Sequence, residues 1–486
     1  MAVIGSACSG DDDAKTSPAG NGTATSAAPR PAGPAADLST EITGGQGAFI
    51  GSANPTNLER DGYVEHEYVA AGTASSYKAT GDLTHDGRWA FESNEQARYR
   101  TRVLVRRPKD PARFSGTVVV EWLNVSGGLD ADPEWASVRE EIVRAGDVWV
   151  GVSAQRIGVE GGPVLVKVAG VEGADLQGKG LKAIDPERYG TLEHPGDGFS
   201  FDILTQVARA IRGGAGMGGL RPQHVIAAGE SQSAFALVTY YNGVQPVAHT
   251  FDAFYVHSRG AAGLPLVEAG KSADIAGGIG AASAIFRTDQ DVPVLDVQTE
   301  GDVTSVLNSY AARQPDHDRF RLWEVAGTAH ADVHLIGNAN TVDCGAPINN
   351  GPMHVVAKAA LHALGRWVET GKAPATAPRI EVTEGAKPQI RRDADGIAVG
   401  GIRTPPVDVP VAVLSGIPGS NPSILCFLLG STVPLPAERL TALYPSREDY
   451  ERRYAASADK AIKSGFVLEA DRDALLAFSD PSRVAA

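Results

Sequence analysis

Four apolar residues, Val225-Ile226-Ala227-Ala228, run straight into Gly229-Glu230-Ser231-Gln232-Ser233, and a helix-forming run begins at Ala234. A buried strand that turns sharply into a helix, with serine at the turn, constrains a chain severely. The serine is held in a strained backbone conformation, and its hydroxyl stands clear of the sheet. Strand and helix pass so close there that the residues two before and two after the serine must be small. Gly229 and Ser233 are both small, although glycine is usual at the second position and this chain has serine. Taken alone, the stretch also fits an ordinary strand–turn–helix, because Gly-x-Ser-x-small is common.

The flanking sequence supplies a framework for such a turn. Tyr63–Val69 and Arg98–Val105 alternate apolar with polar residues and read as half-wet strands at the antiparallel edge of a mixed sheet. Thr117–Leu123, Val148–Val152, Phe251–Val256, Val292–Gln298 and Phe320–Val325 are apolar runs expected as buried strands. Helical spacing occupies Pro133–Ala145 (Asp132 before it, proline first), Phe199–Arg212, Ser305–Arg313 and Met353–Thr370. This alternation predicts an α/β fold: a mostly parallel central sheet flanked by helices on both faces. Two glycine-rich stretches without clear period, near 156–197 and 258–290, read as insertions of the kind that form lids or pocket walls. From residue 373 to 486 the chain changes to proline-rich turns, short strands and a helix over Arg447–Lys463. Its thin apolar content predicts an extension packed on the 41–372 core rather than an independent domain.

Net charge is −14, which disfavours nucleic acid and anionic membrane surfaces as partners. Residues 1–40 are read apart from the core. Ile4-Gly5-Ser6-Ala7-Cys8, followed by Ser9-Gly10-Asp11-Asp12-Asp13, looks like the junction where a bacterial lipoprotein signal is cut and its cysteine lipidated. The apolar stretch that precedes such a junction is almost absent, so the start was trimmed or lies upstream. The other reading is an unstructured tail that happens to hold a cysteine. Residues 11 to about 39 hold almost no large apolar side chain and predict a disordered tether. Together these features predict a secreted or cell-surface, lipid-anchored protein. In that setting Cys344 and Cys426 are expected to form a disulfide, which needs their Cα atoms within about 7 Å.

In a sheet of this class functional groups gather at the carboxyl ends of strands. Three such ends carry reactive groups in the order Ser231, an acid, then His330. A serine hydroxyl is a weak nucleophile at neutral pH and needs a base within hydrogen-bond reach, here His330. The acid fixes the imidazole tautomer and stabilises the imidazolium. Asp302, in the turn after the strand that begins at Val292, is the first choice, Glu300 the second and Asp332 a poor third. His330 and His334, four apart, could instead ligate a metal on a helix, but Gly327 and Thr328 argue for a loop and no glutamate lies between the two histidines. For a developing oxyanion one backbone N–H is expected from Gln232 and a second from the Leu123–Gly128 loop, with Leu123 or Asn124 as donor; Asn124 is taken here. That loop equally fits a plain strand-to-helix turn.

With these residues in place the chain resembles the α/β-hydrolase superfamily of serine esterases, and within it a bacterial branch known as the alpha/beta hydrolase domain family. The resemblance is carried by Glu121-Trp122-Leu123-Asn124-Val125-Ser126-Gly127-Gly128, Gly229-Glu230-Ser231-Gln232-Ser233, Gln298-Thr299-Glu300-Gly301-Asp302, Ala326-Gly327-Thr328-Ala329-His330 and Gly400-Gly401-Ile402-Arg403-Thr404-Pro405. It spans nearly everything from about residue 45 and implies fold and reaction class, with hardly any information on substrate. The expectation is a carboxylic-ester hydrolase working through an acyl-serine intermediate, with no cofactor and no metal, on hydrophobic or aromatic esters or lactones. Amide or peptide hydrolysis by the same residues is one alternative. A surface-anchored lipoprotein that keeps the fold and binds without catalysis is the other.

Overall fold

Alternation along each strand decides how the sheet is covered. On Thr117–Trp122, Val118, Val120 and Trp122 face one hydrophobic core while Val119 faces another. The same split runs through His224–Glu230 (Val225 and Ala227 against Ile226 and Ala228) and Ala253–His257 (Phe254 and Val256 against Ala253 and Tyr255). Strands buried on both faces need helices on both sides. Helices Ser200–Arg212 and Gln232–Thr239 supply one layer; Pro133–Ala145 and Met353–Thr370 supply the other. The computed structural model describes residues 33–51, 57–167, 174–337, 342–385, 387–421 and 423–485. The junction at Cys8 and most of the expected tether lie outside them.

The main sheet has nine strands: β1 (Asp37–Glu41), β2 (Tyr63–Ala79), β3 (Phe91–Pro108), β4 (Thr117–Trp122), β5 (Val148–Val152), β6 (His224–Glu230), β7 (Ala253–His257), β8 (Val294–Thr299) and β9 (Phe320–Val325), in the order β1-β2-β3-β5-β4-β6-β7-β8-β9. β1, β2 and β3 are antiparallel, β3 pairs antiparallel with β5, and every neighbour pair from β5 onward is parallel. The mostly parallel sheet flanked by helices is as expected, with the two half-wet strands on its antiparallel side.

Three expectations need adjusting. The composition predicts a disordered tether to about residue 39, yet β1 already pairs with β2 from Asp37, with Thr40 opposite Val69. Ala36 and Leu38 are buried in the core, which is enough apolar surface for β2 to recruit a short edge strand. The helix expected over Ser305–Arg313 is instead two pieces, Glu300–Thr304 and a 3-10 turn at Ser309–Ala312. Asn308, with φ 48°, breaks any continuous helix between them. The 156–197 insertion is mainly a packing element: Val159, Leu181, Tyr189 and Leu192 cluster with Ile42 of the β1–β2 connection and Val69 of β2. Its Leu165–Val166 portion reaches the Ser126 loop, where both N–H groups donate to Ser126 O at 3.0 Å, and Gly178 packs on Gly128 of the same loop.

Residues 373–485 wrap the outer edge of the sheet. Ala326 N–H donates to Ile402 O (3.0 Å) and Ile402 N–H to Glu324 O (2.7 Å), so the extension adds a bridge to the free side of β9. Covering an edge in this way protects it from pairing with other chains. Further along, Asp471 accepts from the buried Lys358 ammonium at 2.8 Å, locking the C-terminal helices onto Met353–Thr370. Cys344 and Cys426 form the expected disulfide, with Cα atoms 5.4 Å apart and a sequence separation of 82.

Candidate active site

At the end of β6 the chain turns through Ser231 with φ 58° and ψ −121°, a conformation that a serine adopts only under strain. What holds it there is crowding and bonding. A Cβ at Gly229 would stand 3.1 Å from the carbonyl carbon and oxygen of Ser233, tighter than ordinary packing. Ser233 Oγ donates to Glu230 O at 2.8 Å, which accounts for serine where glycine is usual: it is small and caps a strand carbonyl. Ser231 N–H donates to His257 O on β7 at 3.0 Å.

His330 joins Ser231 to Asp302. Its Nε2 lies 2.8 Å from Ser231 Oγ and its Nδ1 2.8 Å from Asp302 Oδ1. An ionised carboxylate only accepts, so Nδ1 carries the proton and Nε2 is left to accept from the serine hydroxyl. Asp302 is fixed in turn by Thr299 N–H, which donates to its Oδ2 at 2.8 Å in a capping box at the start of Glu300–Thr304. The imidazole and the carboxylate are buried. Burial disfavours the imidazolium, but the Asp302 charge, its hydrogen bond and Glu230 outweigh that and hold His330 above its ordinary 6.5. Burial likewise works against an ionised Asp302, and His330 with the Thr299 contacts more than offsets it, leaving the carboxyl below its usual value.

The two other acids are engaged elsewhere. Glu300 accepts Gly327 N–H at 2.8 Å and pairs with Arg392 at 2.6 Å. Asp332 caps the Val333–Ile336 turn, accepting Leu335 N–H at 3.0 Å, and burial pushes its carboxyl up to about 6. His334 turns away from His330: its Nε2 meets Ala136 O at 3.1 Å, and its ring stacks on His354 with centroids 3.7 Å apart. The two histidines therefore share no ligand geometry.

The N–H of Gln232, at the first position of its helix, has no carbonyl in that helix to bond and sits at the positive end of the helix dipole. The Asn124 expectation is corrected. Asn124 N–H donates to Ala131 O at 2.9 Å, and Leu123 N–H to Val152 O at 3.2 Å, so both donors are taken. Asn124 acts through its side chain instead, donating from Nδ2 to Glu230 O at 3.0 Å and tying the loop to the end of β6. Val125 N–H, next along this loop, donates to Gln232 Oε1 at 3.3 Å, so it too is engaged.

Beneath the turn lies a buried group that sequence reasoning did not single out. Glu134, Glu230 and His257 are fully enclosed, and His257 Nδ1 is 3.4 Å from Glu134 Oε1. Burial, partly offset by His257, pushes Glu230 up to about 7. Two signals were available: Glu230 is inside the elbow motif, and His257 ends a parallel strand. A cleft of ≈ 740 Å³ lined by Asp289, Gln314, His317 and Arg319 opens at the amino ends of β8 and β9. That is the opposite end of the strands from Ser231, and function in such sheets gathers at the carboxyl ends.

Comparison with known proteins adds the family. Among solved structures the fold is similar to a putative dienelactone hydrolase from Klebsiella pneumoniae (12% identity, 62% of this chain and 99% of that chain, TM-score 0.30). It is also similar to an α/β serine hydrolase without lid from Xanthomonas campestris (14% identity, 63% and 96%, TM-score 0.31). A third is a fungal esterase from Rhizomucor miehei (11% identity, 64% and 85%, TM-score 0.32). No curated protein matches the chain. Residues 31–477 match the family described as "Alpha/beta hydrolase domain", and with that span of the sequence covered the chain belongs to the alpha/beta hydrolase domain family.

Proposed function

We propose that the protein is a serine hydrolase of carboxylic esters, with Ser231 as nucleophile, His330 as general base and acid, and Asp302 as the group that orients it. The observation that carries this reading is the imidazole held 2.8 Å from both the strained serine hydroxyl and a buried carboxylate. Ser231 Oγ attacks the ester carbonyl carbon while its proton passes to His330 Nε2. The carbon–oxygen bond to the alcohol then breaks, and the leaving oxygen takes that proton. Water attacks the acyl-serine in the second half, again giving a proton to His330, and the acid departs as Ser231 recovers its hydrogen. Gln232 N–H supports the oxyanion in both halves.

An apolar substrate is favoured by what surrounds His330. Ala331 N–H donates to Leu428 O at 2.9 Å, which brings the Ile424–Leu429 helix alongside the histidine turn. Among the described residues few large apolar side chains stand exposed, and Val333 after the histidine turn and Ile424 in that helix are two of them. Exposed apolar side chains on elements joined to the His330 turn suit a hydrophobic or aromatic ester or lactone. Export and lipid attachment at Cys8 belong to the same reading, and mass spectrometry of the N-terminal peptide from the native host tests them.

The reaction is tested with p-nitrophenyl butyrate against a matched anilide. The expected result is ester turnover that Ser231→Ala abolishes, rising with acyl length. Turnover of the anilide alone would replace this reading with an amidase.

A further inference from the structure

We infer that Glu300 is a positioning residue for the reaction, and that through it the C-terminal extension is a working part of the site. The inference rests on the catalytic reading of Ser231, His330 and Asp302. Glu300 stands two residues before Asp302, and its side chain is fully buried where three separate turns meet. Its Oε2 accepts Gly327 N–H at 2.8 Å, in the turn that delivers His330. Its Oε1 accepts from Arg392 Nη2 at 2.6 Å, from Gly416 N–H at 3.1 Å and from Ser415 Oγ at 3.3 Å, all three in the extension. One carboxylate thus satisfies four donors, and a buried charge held this fully fixes the groups that hold it.

The backbones touch as well. A Cβ on Gly416 would overlap Gly301 N and Cα, so only glycine lets the extension lie directly on the turn that carries Asp302. On the other side Gly301 N–H donates to Thr328 O at 3.2 Å, and Glu300 N–H to Thr328 Oγ1 at 3.3 Å. Asn349 Nδ2 closes the circuit, donating to Gly327 O and Ser415 O at 3.1 Å each. The 2.8 Å spacing between Asp302 and His330 is therefore set by a junction whose third member comes from residues 392–416. A misplacement of about 1 Å in such a constellation can cost a hundredfold in rate.

The test compares kcat and KM for p-nitrophenyl butyrate from pH 5 to 9 in wild type, Glu300→Gln, Arg392→Gln, Arg392→Lys and Gly416→Ala, with circular dichroism and thermal melts of each. Glu300→Gln sets an amide donor against the N–H of Gly327 or Gly416. It is expected to lower kcat about a hundredfold with KM changed less than about threefold. The acid limb should also move to lower pH, because a slackened Asp302 contact no longer raises His330 as far. Arg392→Gln, at the partly exposed end of the junction, is expected to lower kcat about tenfold, and Arg392→Lys to recover most of it. Gly416→Ala should follow Glu300→Gln. Folded Glu300→Gln and Gly416→Ala proteins with kcat and acid limb unchanged would overturn the inference. If those two do not fold, unchanged kcat and acid limb in Arg392→Gln overturn it instead. A wild type without Ser231-dependent turnover would remove the catalytic reading itself, and this inference with it.

Discussion

Ser231 is reactive in this account because its neighbours leave it no other conformation, and His330 is basic because Asp302 makes it so. The second statement has consequences for pH. The proposed reaction needs neutral His330, and His330 is held above 6.5, so kcat/KM should rise with pH along a limb centred above that value. Glu230 contributes to holding it there, so Glu230→Gln should move the limb to lower pH in the same profile. Asp302→Asn keeps the shape but releases the tautomer; kcat should fall by about 10³ to 10⁴ while KM barely moves. Glu134 gives a stability counterpart. Among the described residues neither of its oxygens has a hydrogen-bond partner, and burial raises its carboxyl well above 4.5. The folded state then binds more protons at Glu134 than the unfolded chain, so stability falls as pH climbs above the unfolded value near 4.3. Glu134→Gln should accordingly gain more in melting temperature over wild type at pH 8 than at pH 5. A gain that shrinks with pH would reverse that assignment.

At the scale of elements, the strands and helices that build the site were largely legible in the sequence. Pro133–Ala145, Met353–Thr370 and Arg447–Lys463 stand where their spacing put them, because each has a clear apolar stripe and a defined start. Legibility failed where the outcome depended on a distant partner. Nothing local in Asp37–Glu41 announces a strand; it forms because β2 offers a free edge. Asn124 stands in the expected loop, but its N–H is spent on Ala131 across a turn whose closure no periodicity records. Asp302 and Glu300 share one turn, and only the fold tells which meets His330 and which meets Arg392. The pairing of Cys344 with Cys426 was expected, and it fastens the segment on which Ala331 N–H leans through Leu428. Replacing both cysteines by serine should cost about 4 kcal/mol for a loop of this length, read as a lowered midpoint in urea.

Across the whole molecule the extension is what separates this chain from a bare hydrolase core. It covers the β9 edge, reaches the acid turn through Gly416, and anchors its last helices on Lys358. Lys358 is buried, with Asp471 as its enclosed partner and Glu140 as an exposed one. Asp471→Asn should therefore destabilise the entire chain by about 3 kcal/mol, seen as one cooperative transition moving to lower denaturant. A separate early transition for the C-terminal region would mean that it is only loosely attached. The proposed chemistry stands on Ser231 being nucleophilic in the folded protein, and covalent labelling with a fluorophosphonate followed by peptide mapping measures that directly. One label per chain is expected, on Ser231, lost in Ser231→Ala and strongly slowed in His330→Ala. A folded protein that takes no label, or takes it at another residue, contradicts that chemistry.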